Sequence, residues 1–423
     1  MATADTNVQA LEKELIIYEP DIPKLMEMDM PLYSMLETTT SNPASNRATR
    51  VPLLQSSGGT FQQVDMDGGD LGASSGPNWI TATLVPYYFT SNWSITALAS
   101  YATEGSERAV ENAPDQIMKM SMERLKSTLD VTMNTAGNAV IGTVTSVSTN
   151  TLTMTTDGFK EQMPYIGMPV QIFSSALTVD RGSSTVTNID RTNHTITLAA
   201  APGGTTGTDL VLYEGVAAPV TIQSGMFGVK YHQSNATTGL WQGLNRATYS
   251  NIITPGVNAG SSGLTTAFIR LALNNIRMNI GDNQYRNCKL TPYMHPAQAD
   301  AYEAMAILAS EIFKEPSGNQ GVDLMFGNED AMSLAGRKIA QSIHADRTRI
   351  DFLPLKYWGK IVGTDTGFYK SPNGGSIFWP VIGASGDSLK STWYFILKAG
   401  VQLYTKLPLA GSYIHTLAVP AGY

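Results

Sequence analysis

Residues 112–137 read NAPDQIMKMSMERLKSTLDVTMNTAG, and this stretch carries the strongest secondary-structure signal in the chain. Asn112 is a suitable helix cap, Pro114 is tolerated in a first helical turn, and Gly137 favours the left-handed conformation that ends many helices. Between them lies an apolar stripe with spacings of three and four, formed by Met118, Met122, Leu125, Leu129, Thr132 or Met133, and Ala136. The pattern predicts a rod of about 30–35 Å over 113–136. We interpret its stripe as core packing rather than as a membrane- or partner-binding face.

Two stretches with strand-forming sequences precede this helix, and a polar, turn-rich segment connects them. Thr49–Leu54 and Trp79–Phe89 are rich in β-branched and aromatic residues, whereas residues 38–78 are rich in Ser, Thr, Gly, Asn and Asp. The pattern predicts an extended two-stranded arm that is not stable by itself and lies on another subunit. We predict ion pairs between subunits from charged residues at its two ends, which are Arg47 and Arg50 on one limb and Asp65, Asp67 and Asp70 at the other end.

The first 30 residues are acidic. They hold seven carboxylates against two lysines, a net charge of −5, in a chain of 423 residues with a net charge of −7. An arm that neutralised nucleic acid would be basic. A short amphipathic stretch followed by prolines at 20, 23 and 31 instead predicts a short helix and an extended strap that clamps a neighbour.

Residues 141–215 change to an alternation rich in Thr and Val, in which one hairpin pattern occurs twice. TVT and TLTM at 143–145 and 151–154 flank a polar turn, and TVT and TITL at 185–187 and 195–198 repeat the arrangement. Further strand patterns lie at Gly167–Phe173 and Asp209–Tyr213. We predict a small barrel of about six strands, inserted within a larger fold.

Helical and strand patterns then alternate loosely to the end of the chain. Helices are predicted over 264–279, with Gly281 as terminator, and from Pro296 to about 315. Strands are predicted at 289–294, 338–343, 349–355, 376–383 and 392–407. The fold class is therefore α+β, with the barrel as an insertion.

Composition restricts the function. Charged residues make up 15% of the chain, against roughly 25% in ordinary domains, so we expect much of its surface to be covered by other copies. The negative charge argues against a basic nucleic-acid-binding surface, and no apolar run is long enough to span a membrane. The single cysteine, Cys288, excludes an internal disulfide and the usual zinc spacings. We expect it to be buried, in a protein of a reducing cytoplasm.

Motifs of catalysis are missing from the sequence. It contains no His-Glu-x-x-His, no Gly-x-Ser-x-Gly elbow, no P-loop and no dinucleotide fingerprint. His295 could act as a base beside Cys288, but a packed or surface histidine is the simpler interpretation. The acidic run at 65–70 superficially resembles a calcium loop without its final glutamate, so we interpret it as a solvated loop tip. We predict no catalytic residue, no metal site and no cofactor.

The order of the parts resembles the major capsid protein of tailed bacteriophages, whose fold is shared with encapsulins and the floor of the herpesvirus shell. The run GMPVQI at 167–172 is similar to the barrel that some of these coat proteins carry as an insertion. The resemblance implies an N-terminal arm (1–37), an extended β loop (38–92), a peripheral domain with a spine helix (93–140), an inserted β-barrel domain (141–215), an axial domain (216–350), and return strands of the peripheral domain with the C-terminus (351–423).

The resemblance also implies a function and partners. The chain would be a structural coat subunit that assembles as pentamers and hexamers, in the host cytoplasm, into the icosahedral head of a virion around double-stranded DNA. Expected partners are other copies, a separate scaffolding protein, a portal, and packaged DNA through weak non-specific contacts, with no membrane partner. A decoration protein is a further candidate partner. Some family members join subunits through a loop lysine, but residues 25–118 contain no lysine, so we predict no such crosslink.

Three other interpretations remain open at this point. The chain could be an encapsulin-like compartment shell, or another structural virion component of the tail or baseplate. It could also be an enzyme, such as a hydrolase that uses His295 or the acidic run at 65–70.

Overall fold

The computed structural model describes residues 31–40, 49–59, 61, 63, 67, 69, 75–96, 113–155, 159, 164–216, 218, 220, 225–312, 333–334, 337–369, 378–382 and 389–420. The helices there are α1 (Pro31–Met35), α2 (Ala113–Met133), α3 (Val229–His232), α4 (Thr266–Asn287) and α5 (Pro296–Ile312). Single 3-10 turns lie at Ser250–Ile252, Leu355–Tyr357 and Pro408–Ala410. The predicted amphipathic helix and strap of residues 1–30 lie outside the described residues.

The strands are β1 (Thr38–Thr40), β2 (Thr49–Ser56), β3 (Asn78–Leu84), β4 (Tyr87–Thr96), β5 (Val140–Ser148), β6 (Thr151–Met154), β7 (Pro169–Phe173), β8 (Asp180–Asp190), β9 (Thr195–Leu198), β10 (Leu210–Tyr213), β11 (Leu240–Trp241), β12 (Leu244–Asn245), β13 (Gly256–Asn258), β14 (Leu290–Met294), β15 (Ser333–Leu334), β16 (Arg337–Lys338), β17 (Ala340–Gln341), β18 (Ile350–Pro354), β19 (Trp358–Phe368), β20 (Trp379–Ile382), β21 (Leu389–Thr405) and β22 (Ser412–His415).

The long strand β21 organises the first of two five-stranded sheets. It pairs with β4 along one edge and with β19 and β20 along the other, while β1 adds to β19 in parallel. Helix α2 packs on this β21 sheet, where Leu125, Leu129 and Met133 join a buried cluster with Leu397 and Leu403. The predicted stripe of α2 is therefore core packing, as expected from its spacing.

The second sheet has the strand order β13-β22-β18-β14-β17. Helix α4 covers it with Ile269, Leu273 and Ile276, which contact Phe352 and Ile414 in one cluster. Thr265 caps α4, since its Oγ1 accepts a hydrogen bond from the Phe268 amide at 3.4 Å.

The strands β5 to β10 close into a barrel in the order β10-β5-β6-β9-β8-β7. Both predicted hairpins are confirmed, since β5 pairs with β6 and β8 pairs with β9 in antiparallel register. The duplicated hairpins also pair with each other through β6 and β9, which places Leu152 opposite Ile196. Both side chains are buried in the barrel core, and α2 contributes Val131 to the same cluster.

One sequence prediction needs correction here. The single strand predicted over 79–89 is wrong, because β3 ends at Leu84 and β4 begins at Tyr87. Pro86 lies between them and cannot donate a ladder hydrogen bond, so the chain turns there and β4 pairs with β21 instead of extending the arm.

Gly281 interrupts α4 as predicted. Its φ of +76° and ψ of 158° are not helical, so the first helical segment ends there and a second segment continues across the kink to Asn287.

Candidate assembly surfaces

The end of the N-terminal arm is anchored on its own subunit by α1 and β1. The Tyr33 amide donates to Asp130 Oδ1 on α2 at 2.6 Å, and Lys360 Nζ on β19 donates to the Tyr33 carbonyl oxygen at 2.5 Å. Lys360 Nζ also lies 3.6 Å from the centroid of the Tyr33 ring. The backbone at Tyr33 is therefore fixed to its own subunit.

This anchor contains two buried charged side chains, which lose solvation free energy when they leave water. The side chain of Asp130 is fully buried, and that of Lys360 is 5% exposed. Burial lowers the pKa of the Lys360 ammonium, while the Asp130 carboxylate acts in the opposite direction. A charged residue so far from water needs its hydrogen bonds, which explains why the backbone of α1 is held at both its amide and its carbonyl.

The two-stranded arm, β2 with β3, has one buried and one exposed face. Ile80, Ala82 and Leu84 alternate with exposed residues along β3 and contact Tyr231 and Trp241 in a cluster of the same chain. The expectation that this arm rests on another subunit is therefore wrong for its inner face, because sequence alternation alone does not reveal which apolar surface receives a strand.

The outer face of the arm carries large apolar side chains. Leu54 lies opposite Trp79 in the antiparallel register, and the two are 50% and 59% exposed. Phe61, beyond the end of β2, is fully exposed. An exposed aromatic and aliphatic patch of this kind is typical of a protein–protein contact.

The predicted ion-pair residues are only partly within the described residues. Arg50 is exposed on β2, opposite Thr83, and Asp67 is exposed in the excursion that follows. Arg47, Asp65 and Asp70 lie outside the described residues. The structure therefore does not test the predicted pairing between subunits.

Arg124 on α2 joins three parts of the fold. Its guanidinium carbon lies 4.3 Å from the centroid of the Tyr165 ring in the barrel segment and 5.2 Å from that of Trp93 on β4. About two turns further along α2, Thr132 Oγ1 and Tyr213 Oη on β10 are 3.0 Å apart. Burial raises the pKa of Tyr165 and lowers that of Arg124, whereas their mutual attraction opposes both shifts. These contacts fix the barrel against the long helix and the β21 sheet.

An aromatic cluster surrounds the fully buried His232. Its Nε2 lies 3.0 Å from the Leu403 carbonyl oxygen, and the rings of Tyr231, Trp241 and Trp358 meet it edge to face. Desolvation lowers the pKa of His232 to about 3. The imidazole is neutral at physiological pH and donates from Nε2, and it serves as a packed core residue. Its burial is not predictable from the sequence, because a lone histidine carries no local signal of burial.

The residues proposed for alternative chemistry are also packed. Cys288 is free and buried, with Sγ 3.2 Å from the Tyr285 carbonyl oxygen, and burial raises the pKa of its thiol. His295 is 5% exposed, and its Nδ1 accepts from the Ala297 amide at 3.1 Å. The predicted burial of Cys288 is confirmed. Its raised pKa disfavours the thiolate that nucleophilic chemistry requires.

Within the described ranges, no group of three or more His, Cys, Asp or Glu side chains could hold a metal ion. No helix in the same ranges is long and apolar enough to cross a membrane.

No family model matches the sequence, and no curated protein matches it. Among solved structures, the chain is similar to the capsid asymmetric unit of cyanophage A-1(L), with 12% identity, coverage of 95% of this chain and 96% of that chain, and a TM-score of 0.55. Two others are the capsid of an empty GTA particle (9% identity, 95% and 94% covered, TM-score 0.49) and the holo-SrpI encapsulin complex of Synechococcus elongatus PCC 7942 (8% identity, 98% and 97% covered, TM-score 0.47). Through the first of these similarities, the chain has the α+β fold of tailed-phage capsid proteins.

Proposed function

We propose that the chain is the major capsid protein of a tailed bacteriophage, which assembles as pentamers and hexamers into an icosahedral head around double-stranded DNA. The observation that carries this proposal is the fold likeness to a phage capsid subunit over 95% of the chain. A match of that extent leaves little of the chain for another role. In this proposal the protein resides in the virion capsid after assembly in the host cytoplasm, and it is not an enzyme.

The exposed face of the arm supports an assembly role. Leu54 and Trp79 form a cross-strand apolar pair that its own subunit leaves uncovered. Large aromatic side chains are enriched at the centres of protein interfaces, where covering them gains free energy. Many such modest contacts add up in a closed shell. We infer that a neighbouring subunit covers this pair, and that Arg47 and Arg50 pair there with Asp65, Asp67 and Asp70 of the neighbour.

The parts of the chain are assigned roles by the same proposal. The β21 sheet with α2 would be the peripheral domain with its spine helix, the second sheet with α4 and α5 the axial domain, and β5–β10 the inserted barrel domain. The pairing of β4 with β21 favours an extended loop that ends near Leu84 rather than at residue 92. In this proposal the peripheral domain begins with β4 rather than at residue 93, and the axial domain includes β18 and β22 from the range 351–423. The boundaries 1–37 and 141–215 stand as proposed.

Other partners follow from the proposed shell. They are a separate scaffolding protein, a portal, and packaged DNA held by weak non-specific contacts, with a decoration protein as a further candidate. A net charge of −7 is consistent with DNA that must enter and leave freely, since tight binding would require a basic surface.

Electron microscopy of the purified chain and of native particles tests the function. We expect curved, closed polyhedral particles that contain DNA in their native form. Protein cargo in place of DNA would instead identify an encapsulin-like compartment, and tubes or rings would identify a tail or sheath component. A chain that remains a monomer at every concentration, with and without a scaffolding protein, would refute the shell role.

A charge-reversal variant tests the predicted ion pairs. Arg50→Glu should lower particle yield while the circular dichroism and unfolding midpoint of the subunit stay unchanged, because Arg50 is exposed. Lys119→Glu on the exposed part of α2 is a matched control. If the control lowers the yield equally, general charge repulsion explains the effect and the pairing is wrong.

A further inference from the structure

Three partly exposed aromatic side chains, Tyr369, Trp379 and Tyr394, form an aromatic strip on the β21 sheet. The ring centroids of Tyr369 and Trp379 are 5.7 Å apart, and those of Trp379 and Tyr394 are 6.4 Å apart with planes inclined by 19°. Phe395 and Leu397 belong to buried clusters that include residues of α2. Since successive side chains of a strand point to opposite faces, Tyr394 and its aromatic neighbours lie on the face away from α2.

The fold holds the aromatic strip in position. Trp379 lies opposite Tyr394 in the antiparallel register, and its Nε1 donates to the Tyr369 carbonyl oxygen at 3.3 Å. The Tyr369 amide in turn donates to the Ile396 carbonyl oxygen on β21 at 2.8 Å. On the other face of the sheet, Phe395 is fully buried. Rings that are already positioned lose little conformational freedom when a flat ligand stacks on them.

The charge beside the strip is positive. The strands β4, β20 and β21 contain no acidic residue and two lysines, Lys390 and Lys398. Lys398 Nζ lies 5.0 Å from the centroid of the Tyr369 ring, and Lys390 is exposed four residues before Tyr394. Neither lysine forms an ion pair with a described residue. The side chain of Asp365 on β19 lies outside the described residues. Rings and cations together match a ligand that has both flat faces and negative charge.

Stacking on surface rings requires a ligand whose flat faces are accessible. In duplex DNA the bases are paired and lie about 3.4 Å apart along each strand, so rings on a sheet cannot reach their faces. Bases of a single strand can separate and stack on aromatic side chains, while the phosphates between them interact with nearby cations. A neutral sugar could use the rings, but it would gain nothing from the lysines.

We propose that the aromatic strip binds single-stranded nucleic acid. Bases stack on Trp379 and Tyr394, and the phosphates lie near Lys390 and Lys398. Every base has a flat face, so the site does not select a sequence, and DNA and RNA share the chemistry. The negative net charge of the chain does not oppose such a site, because stacking supplies part of the free energy of binding. This inference concerns the surface of one subunit and does not depend on the proposed shell.

Fluorescence anisotropy of a labelled oligothymidylate, titrated with the unassembled full-length subunit, tests the stacking. Trp379→Leu should weaken binding by about five- to a hundredfold, the range for the loss of one stacked base, whereas Trp379→Tyr keeps a ring and should lose much less. The matched control Trp79→Leu removes a 59% exposed ring from the arm and should bind as the wild type does. Unchanged binding in Trp379→Leu would refute the proposal.

A second variant tests the phosphate contacts without touching the rings. For Lys390→Gln/Lys398→Gln, the slope of log affinity against log salt concentration should become shallower by about 1.4, since each phosphate contact of a single strand contributes about 0.7. The control Lys119→Gln/Lys356→Gln removes the same charge from exposed positions elsewhere and should keep the wild-type slope. Equal slopes in all three proteins would overturn the proposal, and this result does not require that Trp379→Leu folds.

Three further measurements separate other occupants of the strip. Oligouridylate should bind about as tightly as oligothymidylate, and a duplex should bind much more weakly. A duplex that binds as tightly as the single strand would mean that phosphate attraction alone explains the affinity. Displacement of the oligonucleotide by maltohexaose would identify a sugar site. A change in sedimentation of Trp379→Leu without any nucleic acid would identify a contact between copies. Each of these three results would contradict the proposal.

Discussion

Acidification should destabilise the subunit through His232, the histidine at the centre of the aromatic cluster. The folded state holds this imidazole neutral, with a pKa of about 3 against an ordinary value of 6.5, because desolvation disfavours the cation. The nearby Arg246 charge acts in the same direction, and the hydrogen bond to the Leu403 carbonyl opposes both. Protonation therefore favours the unfolded chain.

The sign and the size follow from linkage. The unfolded chain binds a proton below pH 6.5 and the folded chain only near pH 3, so the stabilisation is fully present above pH 6.5 and is lost as the pH falls through this window. Between about pH 7 and pH 5 the loss from His232 alone is about 2 kcal/mol. Below the folded pKa it would approach about 5 kcal/mol, a large part of the stability of an ordinary domain.

Urea unfolding of the unassembled subunit measures this loss. Trp241 and Trp358 lie 6.2 and 5.4 Å from the His232 ring, so tryptophan fluorescence reports on the cluster. The variant His232→Gln keeps an N–H donor for Leu403 but does not titrate. Its free energy of unfolding should fall by about 2 kcal/mol less than that of the wild type between the two pH values.

The comparison between the two proteins removes contributions that they share. Burial raises the pKa of Asp351, for example, which acts against acid destabilisation in wild type and variant alike. An identical loss of stability in both proteins would refute the reasoning, because it would mean that the folded chain can protonate or hydrate His232.

Three further predictions concern the anchor, one close backbone approach and the arm. Lys360→Met should lower the free energy of unfolding by about 1–3 kcal/mol in urea titrations, because it removes a buried charged donor to the α1 backbone. The control Lys356→Met, at an exposed position, should lower it by less than about 0.5 kcal/mol. Gly228→Ala should lower the melting temperature, since a Cβ there collides with backbone carbonyls at the end of α2, at a cost of about 1–3 kcal/mol. The control Gly203→Ala has open space around the added Cβ and should leave the melting temperature unchanged. Trp79→Ser should abolish particles in electron microscopy while shifting subunit stability by below about 1 kcal/mol, as its ring is mostly exposed; a large loss of stability would contradict this assignment.

Local sequence patterns predicted the elements whose type can be read from neighbouring residues alone. The stripe of α2, the two threonine-rich hairpins and the apolar spacing of α4 each carry their periodicity or turn chemistry in neighbouring residues. The strand pairing of β4 was not predictable in this way. Its aromatic sequence fits an arm or a central strand equally well, and its partner β21 lies about 300 residues away in the chain.

The contacts of the candidate surfaces were the least predictable part. The arm and the exposed Arg50 were anticipated, but nothing in the sequence near Tyr33 indicates that Asp130 and Lys360 hold its backbone. Similarly, Arg124 is an ordinary helix residue in sequence, and only the fold brings Trp93 and Tyr165 to its two sides. Such contacts depend on tertiary placement, which a single sequence does not encode in short-range patterns.

The parallel pairing of β1 with β19 sets an order of events during synthesis. Thr38 lies opposite Lys360, so the strand that fixes the arm must wait until about 320 further residues have left the ribosome. Parallel, long-range pairings form late because the chain loses loop-closure entropy before the strand contacts contribute any stabilisation. In a nascent chain, β1 at the end of the N-terminal arm thus has no partner strand until the C-terminal sheet exists. Translation itself delays the moment at which a subunit becomes competent to engage its neighbours.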